Sequence, residues 1–300
     1  MRPPLIEAVP NFSEGRDTAR ITRIVRRVEE TPGIEVLDLH SDPDHHRSVL
    51  TLWGPPGPVV EAMMELARAC VEEIDLNQHQ GVHPRIGALD VVPLIPVRGI
   101  TRRELVQPAL ELARRLAEEL SLPVYLYADL AQSEGRRELA AIRRGGFEGL
   151  REKMRDPAWQ PDFGPPTPHP TSGATCVGVR GYLVAYNLYL ATSDLAVARE
   201  IAARIRSRDG GPPGVKALGF ALPTAGAVQV SMNLTEPERT TPLMVRRLVE
   251  ELAEQFGTRV THGELVGMVP AEVVEAMLRQ SFADNFLAEK ILDWRRWQEK

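Results

Sequence analysis

Apolar positions recur every three or four residues between Ser13 and about residue 30, where Ile21, Ile24, Val25 and Val28 share one side. That spacing predicts an amphipathic helix, with Ser13 upstream as its cap. Around it, short apolar runs read as strands: "LIEAVPN" before it, then "IEVLDL" and "SVLTLW", separated by the polar turn "HSDPDHHR". A helix is predicted from about Pro58 to Ile74, followed by the strand "ALDVVPLIPV". Next come a helix from Thr101 to Leu120, expected to kink at Pro108, the strand "VYLYA", and helices over about 134–155. The stretch "DPAWQPDFGPPTPHPTSGA" is too rich in Pro and Gly for regular structure and reads as a linker or a ligand-binding loop. Beyond it, "TCVGVRGYLVAYNLYL" reads as a strand pair or one long bent strand. A helix over 193–207, paired strands "VKALGFAL" and "AVQVSMNL", a helix over about 242–256, the strand "TRVTHGELVGM" and one or two terminal helices complete the chain.

Short strands alternate with helices in both halves, which predicts an α+β protein. The expected architecture is two ferredoxin-like-type α/β subdomains with mixed or antiparallel sheets and helices packed on them. The second half reads as a split βαββαβ unit. We place the subdomains at 1–179 and 180–300. The formal net charge of −5 over 300 residues gives no basic footprint for nucleic acid or anionic membrane. No apolar run approaches a membrane span, and the N-terminal segment lacks a signal-peptide core. Two cysteines in unlike contexts, Cys70 and Cys176, point to free thiols and a cytoplasmic protein.

Candidate chemistry concentrates in "HQGVHPRIGALD", residues 79–90. His79 and His83 have the spacing of two ligands on one helix face, but Gly81 and Pro84 break a helix there. The segment is therefore expected to be a loop, which could bind metal, move protons or brace a turn. His40, His45 and His46 lie upstream in the chain, yet neither an HExxH motif nor a Cys/His cluster accompanies them. No metal site is expected.

The motifs "VPNFSEGRD", "HPRIGALDVVPLIPV", "VPVYLY", "PDFGP", "QVSMNL" and "GELVGMVP" occur in the order seen in glutamate formiminotransferases. Across nearly its whole length the chain resembles the transferase part of formimidoyltransferase-cyclodeaminases, or the free-standing bacterial type. The resemblance implies transfer of a formimino group from N-formimino-L-glutamate to N5 of tetrahydrofolate, in histidine degradation and one-carbon metabolism. It also implies a homodimer whose subdomains hold the folate between them, and the cyclodeaminase step is not expected of this chain. The family's catalytic histidine corresponds to His83. Its folate-binding loop corresponds to Gly164, Pro165, Pro166, Thr167, Pro168, His169, Pro170, Thr171, Ser172 and Gly173. Asn11 falls in the family's active-site region. His40, His45, His46 and Val82 depart from the family pattern, and the first three are expected to face the donor end of the site.

That reaction needs one group that takes a proton from N5 and returns it to the leaving nitrogen. Imidazole does both near neutral pH, so His83 is expected to be the acid/base and His79 not. A carboxylate would favour the cationic donor; Asp38, Asp42, Asp44 and Asp90 are candidates. Arg47 and Arg85 are the loop arginines suited to the donor's carboxylates, with structural ion pairing as the alternative for each. Tyr182, Tyr186 and Asn187 lie on the strand after the Pro/Gly loop, where alternate residues share a face, so Tyr182 and Tyr186 are candidates for one wall of the folate site, with core packing as an equal alternative. Other readings remain: a metal hydrolase, an RNA-binding module, a folate-binding protein without catalysis, and a formyltransferase using a formylglutamate-type donor, where His40 or His45 would face an oxyanion.

Overall fold

The first strand of the chain is interrupted at Pro10, leaving β1 (Leu5–Ala8) and β2 (Asn11–Phe12) in line on the same two neighbours. The computed structural model describes residues 3–224 and 226–282. Two compact units divide it, Met1–Gly181 and Tyr182–Lys300.

In the first unit, α1 (Thr18–Glu29) buries Ile21, Ile24, Val25 and Val28, as the periodicity predicts. Its cap differs from expectation: the Asp17 side chain accepts from the Arg20 N–H at 2.9 Å. The Ser13 hydroxyl instead donates to the Gly87 carbonyl at 2.7 Å, tying the chain start to the histidine loop. β3 (Glu35–Asp42) and β4 (Arg47–Gly54) form a hairpin across the polar turn. Then follow α2 (Pro56–Glu73), β5 (Leu89–Arg98), α3 (Arg102–Leu120) and β6 (Val124–Ala128). The helix α3 opens on a capping box between Thr101 and Glu104 and runs unbroken through Pro108. Proline here costs one helical bond, and the buried face of Leu105, Ala109, Leu112 and Leu116 outweighs it. Where helices are expected over 134–155, only the short α4 (Leu139–Arg143) and α5 (Gly146–Lys153) form. Arg144 and Gly145 separate them, and Gly145 and the first residue of α5, Gly146, both have positive φ.

With β7 (Thr175–Val179), the seven strands of this unit lie in the order β1-β4-β2-β5-β7-β6, with β3 on β4. Here β7 sits between β5 and β6 and is parallel to both. Strands β1 to β5 with α1 and α2 thus make a βαββαβ unit, enlarged by the two parallel strands. Leu50 and Leu52 of β4, Phe12, Leu94 and Val177 pack with α1, α2 and α3 in the main core. The opposite face is covered beyond β5 by α4 and α5, where Ile142 and Leu150 meet Val91, Tyr125 and Cys176.

The second unit contains β8 (Val184–Leu190), α6 (Leu195–Ile205), β9 (Val215–Leu222), β10 (Ala227–Leu234), α7 (Pro242–Gln255), β11 (Val260–Val266) and α8 (Ala271–Phe282). Its antiparallel sheet has the order β11-β8-β10-β9, the ferredoxin-like arrangement expected of a βαββαβ segment. The pairing expected within "TCVGVRGYLVAYNLYL" does not occur. β7 belongs to the first sheet and β8 to the second, because the chain passes from one unit to the other between them. A second terminal helix would fall beyond residue 282, outside the described residues.

Candidate active site

Alternation along β4 sends Leu50 and Leu52 into the helix-side core, so Arg47 and Val49 face the other way. Register then places Asn11 of β2 and His40 of β3 opposite Val49, and Asp42 opposite Arg47. One sheet face therefore collects Asn11, His40, Asp42 and Arg47.

The histidine loop crosses the end of this face, bonded to the turn between β3 and β4. The Val82 N–H donates to the Asp44 carbonyl at 3.1 Å. Gly81 makes the approach possible, since a Cβ there would stand 2.3 Å from the His45 carbonyl oxygen. Asp90, buried at the start of β5, closes the far end by accepting the Ile86 and Gly87 N–H groups at 2.7 and 3.2 Å. Its other oxygen is paired with Arg143 of α4. Asp90 is thus a loop-shaping carboxylate. Asp42 similarly accepts the His45 N–H at 2.8 Å.

His83 Nδ1 lies 2.8 Å from the Pro84 carbonyl, which can only accept, so Nδ1 carries the proton. Nε2 therefore holds the lone pair, and it lies 2.7 Å from Arg47 Nη1, which can only donate. The His45 ring stands 5.6 Å away, centroid to centroid. Burial, then Arg47, Arg143 and His45, push the His83 pKa well below the ordinary imidazole range. The imidazole is neutral at pH 7. Among the described residues no carboxylate forms an ion pair with Arg47; Asp90 and Asp42 act on it from farther off. Burial and the neighbouring Arg143 lower its pKa to about 10, so it remains a cation.

His79 has a different setting. Its Nε2 donates to the His46 carbonyl at 2.7 Å and its Nδ1 accepts from Arg85 Nε at 3.0 Å. Its ring stacks on His46, centroids 4.1 Å apart. Burial, followed by the charges of His46 and Arg85, lowers its pKa to about 4. Arg85 is engaged on all sides: its two terminal nitrogens meet both oxygens of Glu148 at 2.9 and 2.7 Å. Of the two loop arginines, Arg85 is the one in a structural ion pair.

Both ring nitrogens of the largely buried His46 have partners. They meet the Gln80 carbonyl and the Glu14 carboxylate, both at 3.0 Å. Glu14 is 2 % exposed and also accepts from the N–H groups of Gly15, Arg16 and Asp17 and from Arg20. Burial alone would raise its pKa; His46, the two backbone bonds from Arg16 and Asp17, and Arg20 hold it far below the carboxylate range. Sequence reasoning missed Glu14, Glu148 and Arg143. Glu14 lies within "VPNFSEGRD", but its role depends on the distant His46.

The Pro/Gly loop is also joined to the histidine loop. His169 and Gly173 exchange backbone bonds at 2.8 and 3.0 Å, and the Thr171 and Ser172 carbonyls accept from Leu76 and Ala88. A Cβ on Gly173, which has φ of +69°, would stand 2.0 Å from the Ile86 carbonyl oxygen. Residues 169–173 are therefore anchored beside His83's loop, while Gly164, Pro166 and Thr167 are exposed. In the second unit, Tyr186 packs in the helix-side core, the alternative weighed for it, and Tyr182 precedes β8. The opposite face carries Asn187 and Tyr189, both bonded to Glu264 at 3.1 Å. Among the described residues no group of three or more His, Cys, Asp or Glu side chains is arranged to hold a metal ion.

Comparison with known proteins matches residues 5–180 to the family model "Formiminotransferase domain, N-terminal subdomain" and residues 185–290 to "Formiminotransferase domain". A glutamate formimidoyltransferase of Thermoplasma acidophilum is 41 % identical over 272 residues, 90 % of this chain and 89 % of that protein. One from Streptococcus pyogenes is 39 % identical, covering 90 % of each. The formimidoyltransferase-cyclodeaminase of Sus scrofa is 43 % identical over 90 % of this chain but only 51 % of its own length.

Proposed function

The chain belongs to the formiminotransferase family, and from that premise we propose that it is a glutamate formimidoyltransferase, moving the formimino group of N-formimino-L-glutamate to N5 of tetrahydrofolate. The observation that carries the reading is the fixed tautomer of His83: Nδ1–H held on the Pro84 carbonyl, with the lone pair on Nε2 directed toward Arg47. In the reaction, N5 attacks the formimino carbon and its proton passes to His83 Nε2. The imidazolium then protonates the glutamate nitrogen, the bond from that nitrogen to the formimino carbon breaks, and His83 returns to its neutral form. One histidine serves both halves. Arg47, half-buried and with no ion-paired carboxylate among the described residues, suits a donor carboxylate, with Asn11 and His40 on the same sheet face. Residues 164–173 would contact the folate, offering exposed backbone from a segment anchored beside His83. The family supports a role in histidine degradation and one-carbon metabolism. We read the enzyme as a cytoplasmic homodimer of two subdomains, 1–179 and 180–300.

The test is turnover with tetrahydrofolate and either N-formimino-L-glutamate or N-formyl-L-glutamate as donor. Preferential consumption of the formimino donor is expected. Turnover of the formyl donor alone would move the enzyme to formyl transfer, and turnover of neither would overturn the assignment.

A further inference from the structure

Both nitrogens of His83 are engaged. Nδ1–H is donated to the Pro84 carbonyl, and the Nε2 lone pair faces Arg47 Nη1 at 2.7 Å. An imidazole whose lone pair accepts from a guanidinium cannot accept a substrate proton in that geometry. For His83 to act as a base, Arg47 has to leave it. A cation held by a neutral ring, with no carboxylate partner among the described residues, moves toward an anion, because a charge-assisted bidentate pair is stronger than one hydrogen bond to a neutral acceptor. The donor carries two carboxylates.

We propose that Arg47 is a donor-operated latch on His83: in the empty enzyme it occupies Nε2, and a carboxylate of the bound donor draws it away and exposes the base. This rests on the formiminoglutamate reading above and adds an order to it. Donor binding precedes proton transfer, and the base is formed only when there is something to transfer. Arg47 is a positioning residue for His83 as well as a ligand for the donor.

The other groups around the pair fit this role. Arg143, on α4, is paired with Asp90 of β5 and repels Arg47. Asp42, at the end of β3, is joined to the His45 N–H, and His45 lies beside the His83 ring. Asp90 and Asp42 attract Arg47 without forming an ion pair with it. Arg85, the other arginine of the loop, cannot take its place, since Glu148 and His79 hold it.

The test follows the His83 ring by histidine side-chain ¹⁵N NMR in the intact chain, without tetrahydrofolate so that no turnover occurs. In the wild type, His83 should remain the Nδ1–H tautomer and resist protonation well below the ordinary imidazole range. Adding N-formimino-L-glutamate should shift its titration upward. In Arg47→Met the titration should already be shifted upward, and the donor should move it little further. Kinetically, Arg47→Met should raise the donor KM by about 10- to 100-fold, the loss of one hydrogen-bonded charge. Arg47→Lys should recover part of that. If His83 titrates alike in the wild type and Arg47→Met, or if the donor binds the wild type without shifting it, the latch is overturned while the transfer assignment stands. Absence of donor binding to the wild type would overturn both. Should Arg47→Met fail to fold, Arg47→Lys and the wild-type donor titration still decide.

Discussion

Two histidine–arginine pairs meet at the loop over 79–85, with opposite fates. At one end, His79 accepts from Arg85, and Glu148 holds the arginine with both oxygens. At the other, His83 accepts from Arg47, and no carboxylate among the described residues completes the pair. The residue types are the same, the bond lengths nearly so. The difference is the third partner. An arginine closed by a carboxylate is a strut, and its histidine becomes a neutral spacer. An arginine left open beside a histidine is a cation with donors to offer, and this contrast separates a brace from a reactive site more sharply than the histidines themselves.

The largest expected effect comes from removing the ring at the open end. His83→Ala should cost about 10²- to 10⁴-fold in kcat while tetrahydrofolate binding persists. Transfer assays paired with equilibrium binding check this, and near-normal turnover would erase the distinction between the two ends. Next is the anchor beneath the loop. Glu14→Gln deletes a buried charge that accepts from three backbone N–H groups, His46 and Arg20, and should lower stability by about 2–3 kcal/mol in urea unfolding.

At the closed end, Glu148→Gln should cost about 1 kcal/mol or less, because the Glu148 side chain is 67 % exposed and water screens the pair. The same variant should loosen the strut and leave donor KM within about twofold of the wild type, whereas an increase like that expected for Arg47→Met would show that the closed pair also serves binding. The last expected effect is read in pH. His79 has a folded pKa of about 4 against an ordinary value of 6.5, so the unfolded chain takes up its proton first as pH falls. Its contribution to stability is therefore complete above about pH 6.5 and is lost as pH falls toward about 4. Comparing the slopes of unfolding free energy against pH for wild type and His79→Gln isolates it; equal slopes between those limits would refute the buried, neutral assignment.

Much of this was legible along the chain. Helices α1, α3 and α7 and the hairpin strands follow from apolar spacing, because an element that buries one face repeats its own period. The loop around His83 is equally local: Gly81 and Pro84 exclude a helix there. The α+β class and the βαββαβ order of the second unit follow from the sequence of elements. Other features were decided by distant partners. Ser13 has the chemistry of a helix cap, yet bonds to Gly87 across 74 positions. β7 and β8, five residues apart, enter different sheets. Arg47 and Arg85 are indistinguishable as residues in polar loops; their roles diverge because Glu148 reaches one from 63 positions away and no described carboxylate pairs with the other. Local sequence sets backbone preference and periodicity, whereas which charges meet depends on how the strands are ordered. For this protein the sequence therefore determined where the histidine loop lies, and only the tertiary structure decided which of its two histidine–arginine pairs is held shut.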